Sequence, residues 1–390
     1  MARVLGLLAT SGLTLLVLGV VSWAVAQVDS LSTASAAPAR QPNNLTVLVG
    51  GGQDTLQMLA FFPTSVRVRA GDSVTFRINS DFEPHTVSFS QGVPPGPNWA
   101  QSPVLPPGGL IPTFPVPLPG GAPNELMLNP AIAFPTRFPG APQETYSGNG
   151  YVNSGVMTAF PLAPDAPLFD TFTATFDTPG TYTYTCLIHS DRMWGTVEVL
   201  PADAEGVQSQ DDIAAQSLLE MAAFSNIFPA ARAEAQQFAK PNEPAPGGTS
   251  VVFVRAGMTE LFSGDGRAHV NEFFPKDATI RAGDTVVWGS TYFHSVTFSP
   301  TLPPTVNDLF IERPQPAGPP ILAFNPRVWD PVKPTAAYDP TQYYNSADMG
   351  PLSPFGPTYA LTFDRPGTYE YVCIFHGVQG MKGTITVVPR

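Results

Sequence analysis

The chain has 390 residues, 13% of them charged, with 45 prolines and a formal net charge of −12. That length supports two or three domains with full cores. The acidity argues against nucleic acid as a partner, and the proline content argues against a helical bundle and for a loop-rich, strand-rich protein.

At the start, Arg3 precedes an uncharged, mostly apolar run over residues 4–26, and Ala24-Val25-Ala26 fits a small-residue cleavage rule. The run is also about the length of a membrane span. Residues 1–26 are therefore read as an export signal or an N-terminal anchor. Either reading places the rest outside the cytoplasm: periplasmic, extracellular or at the cell surface. Residues 27–42 read as a flexible segment.

From there the sequence repeats itself. FFPTSVRVRAGDSVTF (61–76) matches FFPKDATIRAGDTVVW (273–288), and PHTVSFS (84–90) matches FHSVTFS (293–299). FDTPGTYTYTC (176–186) matches FDRPGTYEYVC (363–373), and WGTVEV (194–199) matches KGTITV (382–387). A fainter echo, YVNSG (151–155) and YYNSA (343–347), precedes the last two. The order is kept, so two domains are expected, over 43–201 and 248–390. Val66, Val68, Val74 and Phe76 alternate around the turn at Ala70-Gly71-Asp72, and the stretch 181–185 is β-branched and aromatic after a Pro-Gly turn. Short strands between Gly/Pro turns predict an all-β protein of two tandem Greek-key β-sandwiches. Pro-rich insertions, about 92–165 and 300–356, are too long for plain loops and read as ordered excursions or lids.

Between the halves, residues 202–247 read as a helical linker packed on one sandwich. Ile213, Leu218, Met221, Phe224 and Phe228 fall at roughly helical spacing, and Pro229 is expected to end or kink the helix.

The chemistry concentrates in TCLIHSDRMWGTVEV (185–199) and VCIFHGVQGMKGTITV (372–387). Each holds one of the chain's two cysteines, followed by a histidine and a methionine: Cys186, His189 and Met193, then Cys373, His376 and Met381. A second imidazole stands at matching places in the repeat, His85 and His294. Two imidazoles, a thiolate and a weak thioether are the ligand set of a blue-copper centre. Zinc is possible at any Cys/His site, but structural zinc seldom takes a methionine. A Cys186–Cys373 disulfide is the alternative outside the cytoplasm, but it leaves four histidines without a role.

On these residues, both halves resemble cupredoxins of the plastocyanin, pseudoazurin and amicyanin kind, outside the insertions and the linker. The resemblance rests on His85, Cys186, His189 and Met193, on His294, Cys373, His376 and Met381, and on the P-G-T-Y-x-Y-x-C and M-x-G-T strands. It implies two type 1 copper ions per chain and an electron-transfer role with a redox partner protein. It also implies that His189 and His376 reach the surface in apolar patches near Leu187, Ile188 and Trp194, or Ile374 and Phe375. The loops differ, C-x2-H-x3-M against C-x2-H-x4-M, so the two centres are expected to differ in potential. Asn79, Ser80 and Asp81, and Ser290 and Thr291, are candidates to orient the ligand loops.

Some relatives of this fold are copper enzymes that need further histidines. The chain has five histidines, of which only His269 lies outside the two clusters, and it reads as a surface or strand residue. A non-enzymatic carrier is therefore expected. The alternatives are a copper-binding or storage module, or a cell-surface module, without a carrier role. A nitrite reductase-like or oxidase-like enzyme built on His269 at an oligomer interface is a further reading.

Overall fold

The computed structural model describes residues 41–89, 113–115, 126–128, 144–150, 152–160, 168–238, 243–244, 248–259, 266–290, 292–313, 321–350, 353 and 355–390. The readings for residues 1–26, for nearly all of 27–42 and for Thr291 lie outside the described residues, as does much of the first insertion.

The first half contains β1 (Asn44–Gln53), β2 (Leu56–Phe62), β3 (Ser65–Arg69), β4 (Ser73–Ile78), β5 (Ser88–Phe89), β6 (Thr113–Pro115), β7 (Leu126–Leu128), β8 (Glu144–Tyr146), β9 (Val152–Asn153), β10 (Thr171–Phe176), β11 (Gly180–Cys186) and β12 (Ser190–Leu200). Helices α1 (Gln210–Ser225) and α2 (Phe228–Phe238) follow. The second half contains β13 (Glu243–Pro244), β14 (Ser250–Thr259), β15 (Ala268–Phe274), β16 (Asp277–Arg281), β17 (Asp284–Ser290), β18 (Thr297–Phe298), β19 (Phe310–Arg313), β20 (Ile321–Phe324), α3 (Pro326–Trp329), β21 (Tyr344–Asn345), β22 (Thr358–Phe363), β23 (Gly367–Val372) and β24 (Lys382–Val388). The repeated stretches fall on corresponding strands, and each half is a sandwich of two layers. The outer layers are the five-stranded sheets β3-β12-β11-β5-β9 and β16-β24-β23-β18-β21. Alternate residues point inward as a pleated strand requires. Phe76, Phe89, Phe172 and Tyr184 fill the first core, and Trp288, Phe298, Phe363 and Tyr371 fill the second.

The repeated P-G-T-Y-x-Y-x-C stretch has a packing cause. The first tyrosine closes its own turn: Tyr182 donates to the Thr178 carbonyl at 2.8 Å, and Tyr369 to the Arg365 carbonyl at 3.0 Å. The second tyrosine lies against a glycine on the next strand, in the registers Tyr184↔Gly195 and Tyr371↔Gly383. A Cβ on either glycine would stand 2.5 or 2.4 Å from ring atoms. That fixes the glycine of W-G-T and K-G-T.

The two inner layers are not separate. β2 pairs antiparallel with β15 through Met58↔Ala268, Gln57↔His269 and Leu56↔Val270. This joins them into one ten-stranded sheet ordered β22-β17-β14-β15-β2-β1-β4-β10-β8, with β13 beside β14. Counted from Phe61-Phe62 and Phe273-Phe274, Gln57 and His269 hold equivalent repeat positions, so the halves meet about a local pseudo-twofold. Residues 42–390 form one compact unit.

The linker differs from expectation. It packs on both halves, α1 against β1 and β2 and α2 against β14 and β15. Phe224, Phe228, Ala231 and Ala235 seal the junction over Met58, Phe62, Met258 and Val270. The break falls at Asn226-Ile227, before Pro229, which sits in the first turn of α2 where its missing N–H costs nothing. The buried face of α1 runs through Ile213, Ser217 and Phe224, whereas Leu218 is 66% exposed. Where described, the insertions are ordered excursions. The hairpin β6-β7 of the first and the hairpin β19-β20 of the second join through β7 and β20 in a four-stranded sheet. Among the described residues no helix is long and apolar enough to cross a membrane.

The A-G-D turns anchor both sandwiches. Asp72 accepts from Asn43 N at 2.7 Å and Arg69 N at 2.9 Å, and Asp284 accepts from Ser250 N and Arg281 N, both at 2.9 Å. Burial pushes the Asp284 carboxyl up, but these N–H donors and Arg390 outweigh it and hold the group below its ordinary value. Its contribution to stability is therefore present above the unfolded pKa of about 3.9 and is lost as pH falls through the lower folded value. The Arg390 partner is 40% exposed, so Asp284→Asn is expected to cost only about 1 kcal/mol at pH 7. The deficit should shrink on acidification, read as the difference in urea midpoint between pH 7 and pH 3.

Candidate metal centres

The two centres are built alike. The end of β11 and the exit of β23 deliver the cysteines, and the turns that follow return His189 and His376 over them. The segments leading into the short strands β5 and β18 deliver the other histidine of each centre, His85 and His294, each three residues before its strand. In the first centre, Cys186 Sγ lies 3.3 Å from His189 Nδ1 and 4.0 Å from His85 Nδ1, and the two Nδ1 atoms are 3.1 Å apart. In the second, Cys373 Sγ lies 3.6 Å from His376 Nδ1, and the Nδ1 atoms of His294 and His376 are again 3.1 Å apart. Each trio is fully buried, with its three donor atoms within 4.8 Å of one another. Two imidazole nitrogens and a sulfur crowded this closely in an apolar core require a shared proton or a cation between them. The set of thiolate and imidazole suits copper. Both cysteines are free thiols, so the disulfide alternative is excluded. Met193 and Met381 are completely buried in the same clusters as Cys186 and Cys373.

The thiols are prepared as thiolates. Burial pushes Cys186 up, but the charge and hydrogen bond of His189, with help from His85, hold it well below the ordinary thiol value. Cys373 is lowered likewise, burial being outweighed by His376. Backbone N–H groups of Thr86 and Ser295 each reach the sulfur at 3.3 Å. Burial, helped by the charge of the neighbouring His189 or His376, pushes His85 and His294 down. It also acts against His189 and His376, but the thiolates and Glu83 raise these to about 9 and about 10.

Around the donors, a second set of repeated residues holds the loops. Thr86 Oγ1 accepts from Leu187 N at 2.7 Å, and Ser295 Oγ from Ile374 N at 2.8 Å, tying each histidine strand to the residue after each cysteine. The faint N-S echo has its reason here. Ser154 and Ser346 accept from Val87 N and Val296 N, both at 2.8 Å, and Asn153 and Asn345 bond Ser88 and Thr297 on the same strands. Among the expected orienting residues, Ser80 Oγ accepts from Glu83 N at 3.0 Å and donates to Gln57, and Ser290 Oγ binds the backbone of Ala256 and Tyr292. Asn79 reaches the Gly50 carbonyl at 3.3 Å, and Asp81 is exposed.

The outward face of the centres is where the structure departs from the resemblance. His189 and His376 are not at the surface; they are 2% and 3% exposed. They face each other across one carboxylate. Glu83 Oε1 lies 3.1 Å from His189 Nε2, and Oε2 lies 3.4 Å from His376 Nε2. Burial pushes the Glu83 carboxyl up, but hydrogen bonds and charge from both histidines hold it well below the carboxylate range. The physical reason is the β2–β15 pairing, which turns the two ligand loops toward each other. Nothing in the sequence marks Glu83 apart from a surface acid. Leu187, Ile188, Ile374 and Phe375 are buried as well, and of the expected patch only Trp194, at 44%, is well exposed. Phe375 is covered by Phe293 at 4.1 Å and by Trp329 of the second insertion at 5.4 Å between ring centroids. His269 is a strand residue, as one reading had it, but a buried one. Its ring meets Tyr292 edge-on at 4.0 Å, its Nε2 lies 3.2 Å from the Gly266 carbonyl, and it belongs to neither trio.

Two glycines also escaped the sequence reading. Gly50 and Gly257 adopt φ of +71° and +67°, and a Cβ there would stand 2.2 Å from His85 Nε2 and 1.8 Å from His294 Nε2. The imidazole edge occupies the space a side chain would need. Gly257→Ala is expected to displace His294 and weaken metal binding at the second centre by roughly 10–100-fold, leaving the first intact. Calorimetric copper titration of the variant, with one strong and one weakened site, checks this.

The profile of copper binding proteins of the plastocyanin/azurin family matches residues 264–388. The plastocyanin of Scenedesmus fuscus is 30% identical over 117 residues, which cover 30% of this chain and 85% of that protein. Among solved structures, a mutant plastocyanin of fern is 22% identical, covering 40% of this chain and 98% of its own, with a TM-score of 0.19. A purple cupredoxin from Nitrosopumilus maritimus is 17% identical over 35% of this chain and 98% of its own, with a TM-score of 0.18. The two His–Cys–His trios fit two type 1 copper sites.

Proposed function

Because the chain belongs to the plastocyanin/azurin family of copper-binding proteins, we propose that it is an exported electron carrier with one type 1 copper centre in each half. The observation that carries this reading is the pair of buried His–Cys–His trios built from matching positions of the repeat. His85, Cys186 and His189 would hold one ion with the Met193 thioether as a further weak ligand, and His294, Cys373 and His376 would hold the other with Met381. Bound copper supplies one-electron chemistry, and a mixed set of thiolate, thioether and imidazole tolerates both of its oxidation states.

The chain's part is to keep that set rigid and dry. The N–H groups of Thr86 and Ser295 fix the sulfur lone pairs, and the Thr86 and Ser295 hydroxyls lock the loop behind each cysteine. Full burial of Cys186, Cys373, Met193 and Met381 excludes water. A site held this way reorganises little when its charge changes. A carrier is favoured over an enzyme because four of the five histidines are used in the trios and the fifth, His269, is packed on Tyr292 with its Nε2 at the Gly266 carbonyl. Export rests on residues 1–26, and the partner is a redox protein.

The test is copper stoichiometry with visible absorption and electron paramagnetic resonance on protein lacking residues 1–26. Two coppers per chain with only type 1 signals are expected. Cys186→Ser should abolish one charge-transfer band and Cys373→Ser the other, with unequal midpoints for the two centres in a redox titration. An additional type 2 signal would replace the carrier with an enzyme, and copper that exchanges no electrons reversibly would replace it with a storage module.

A further inference from the structure

The repeat gives each half the same ligands, yet the two halves differ at the position two residues before the ligand histidine. PHTVSFS aligned with FHSVTFS sets Glu83 opposite Tyr292. Tyr292 packs on His269 of its own half at 4.0 Å, with Arg192 Cζ of the first half 5.0 Å from its ring centroid. Glu83 instead meets both ligand histidines at once. One acid thus serves two centres, where two acids would repel each other across the same buried space.

The position of Glu83 is heavily determined. Its backbone N–H donates to Ser80 Oγ at 3.0 Å, and Ser80 donates to Gln57 at 3.1 Å, a residue of the joining strand β2. On the other side, Asn271 of β15 donates to Gln379 at 3.0 Å, and Gln379 N donates to the His376 carbonyl at 3.1 Å. One arm of the junction thus reaches the Glu83 turn through Gln57 and Ser80, and the other reaches the His376 loop through Asn271 and Gln379. The ring nitrogens that touch Glu83 are the Nε2 atoms, the far side of each imidazole from the Nδ1 that faces the cysteine.

Resting on the two-copper reading above, we propose that the His189–Glu83–His376 bridge couples the two centres and is the route by which an electron passes between them. In that exchange the copper of one centre goes from Cu(I) to Cu(II) as the other goes from Cu(II) to Cu(I). No bond forms or breaks, and no proton leaves the bridge. The path consists of two imidazole rings and one carboxylate, joined by a hydrogen bond at His189 and an ion pair at His376 and enclosed in protein. The shared negative charge also stabilises the oxidised state of both centres, so each senses the charge of the other. Glu83 is a positioning residue: it acts through the histidines and touches no metal.

The experiment uses the full copper-loaded chain, half-reduced by pulse radiolysis, with inter-site exchange followed optically and both midpoints measured. Glu83→Gln keeps the shape, but its amide cannot accept from both N–H groups as a carboxylate does. It is expected to retain two type 1 signals, to raise both midpoints and to slow exchange by roughly 10–100-fold. Glu83→Asp keeps the charge but is too short to span both rings, so exchange should slow while the midpoints stay nearer the wild type. An unchanged exchange rate in either copper-replete variant overturns the proposal. Loss of copper from both variants makes Glu83 a structural strut and also overturns it. Wild-type protein without two type 1 signals overturns the carrier reading itself, and the bridge with it.

Discussion

Three residue pairs of backbone ladder between β2 and β15 decide most of what is particular about this protein. Without them the chain would be two separate sandwiches, each with a ligand loop facing water. With them, the inner layers merge into one ten-stranded sheet, and the ligand loops are turned inward against each other. The junction is short, so the backbone alone holds it weakly. The apolar seal of Phe224, Phe228 and Ala231 over Met58 and Val270 removes water from it and supplies most of the hydrophobic stabilisation there.

The centres themselves follow from a conflict that burial creates. A thiol and two imidazoles in an apolar core are each costly alone. Together they are tolerable only when charges of opposite sign offset one another. The raised His189 and His376 and the depressed Cys186 and Cys373 express that balance. Glu83 extends it by one further charge, so the two centres belong to a single electrostatic unit.

Much of this was legible in the sequence. The P-G-T-Y-x-Y-x-C and G-T stretches mark the same pair of strands twice, although the tyrosine-over-glycine packing between them emerges only in the structure, and the Cys/His/Met spacing is local enough to survive translation into space. What was not legible depends on how the halves meet. Gln57 and His269 pair because of a quaternary-like contact inside one chain, and no periodicity in L-Q-M-L or A-H-V-N announces it. Glu83 reads as an ordinary acid beside a proline, and the burial of His189 and His376 is invisible for the same reason. Gly50 and Gly257 look like turn glycines until the imidazoles are placed beside them. Leu218 shows the opposite error: its spacing suits a buried face, but the linker turns a different stripe to the sheet.

The way the halves interlock has a bearing on how the chain is made. Residue 58 finds its ladder partner at 268, and Met127 of the first insertion finds Ala323 of the second. A first half emerging alone has β1 on one side of β2 and nothing on the other, which is an open sheet edge of apolar residues. Contacts so distant in sequence form late. The stretch between 43 and 201 is therefore a fragment with an adhesive margin, quenched only when the C-terminal half arrives to cover it.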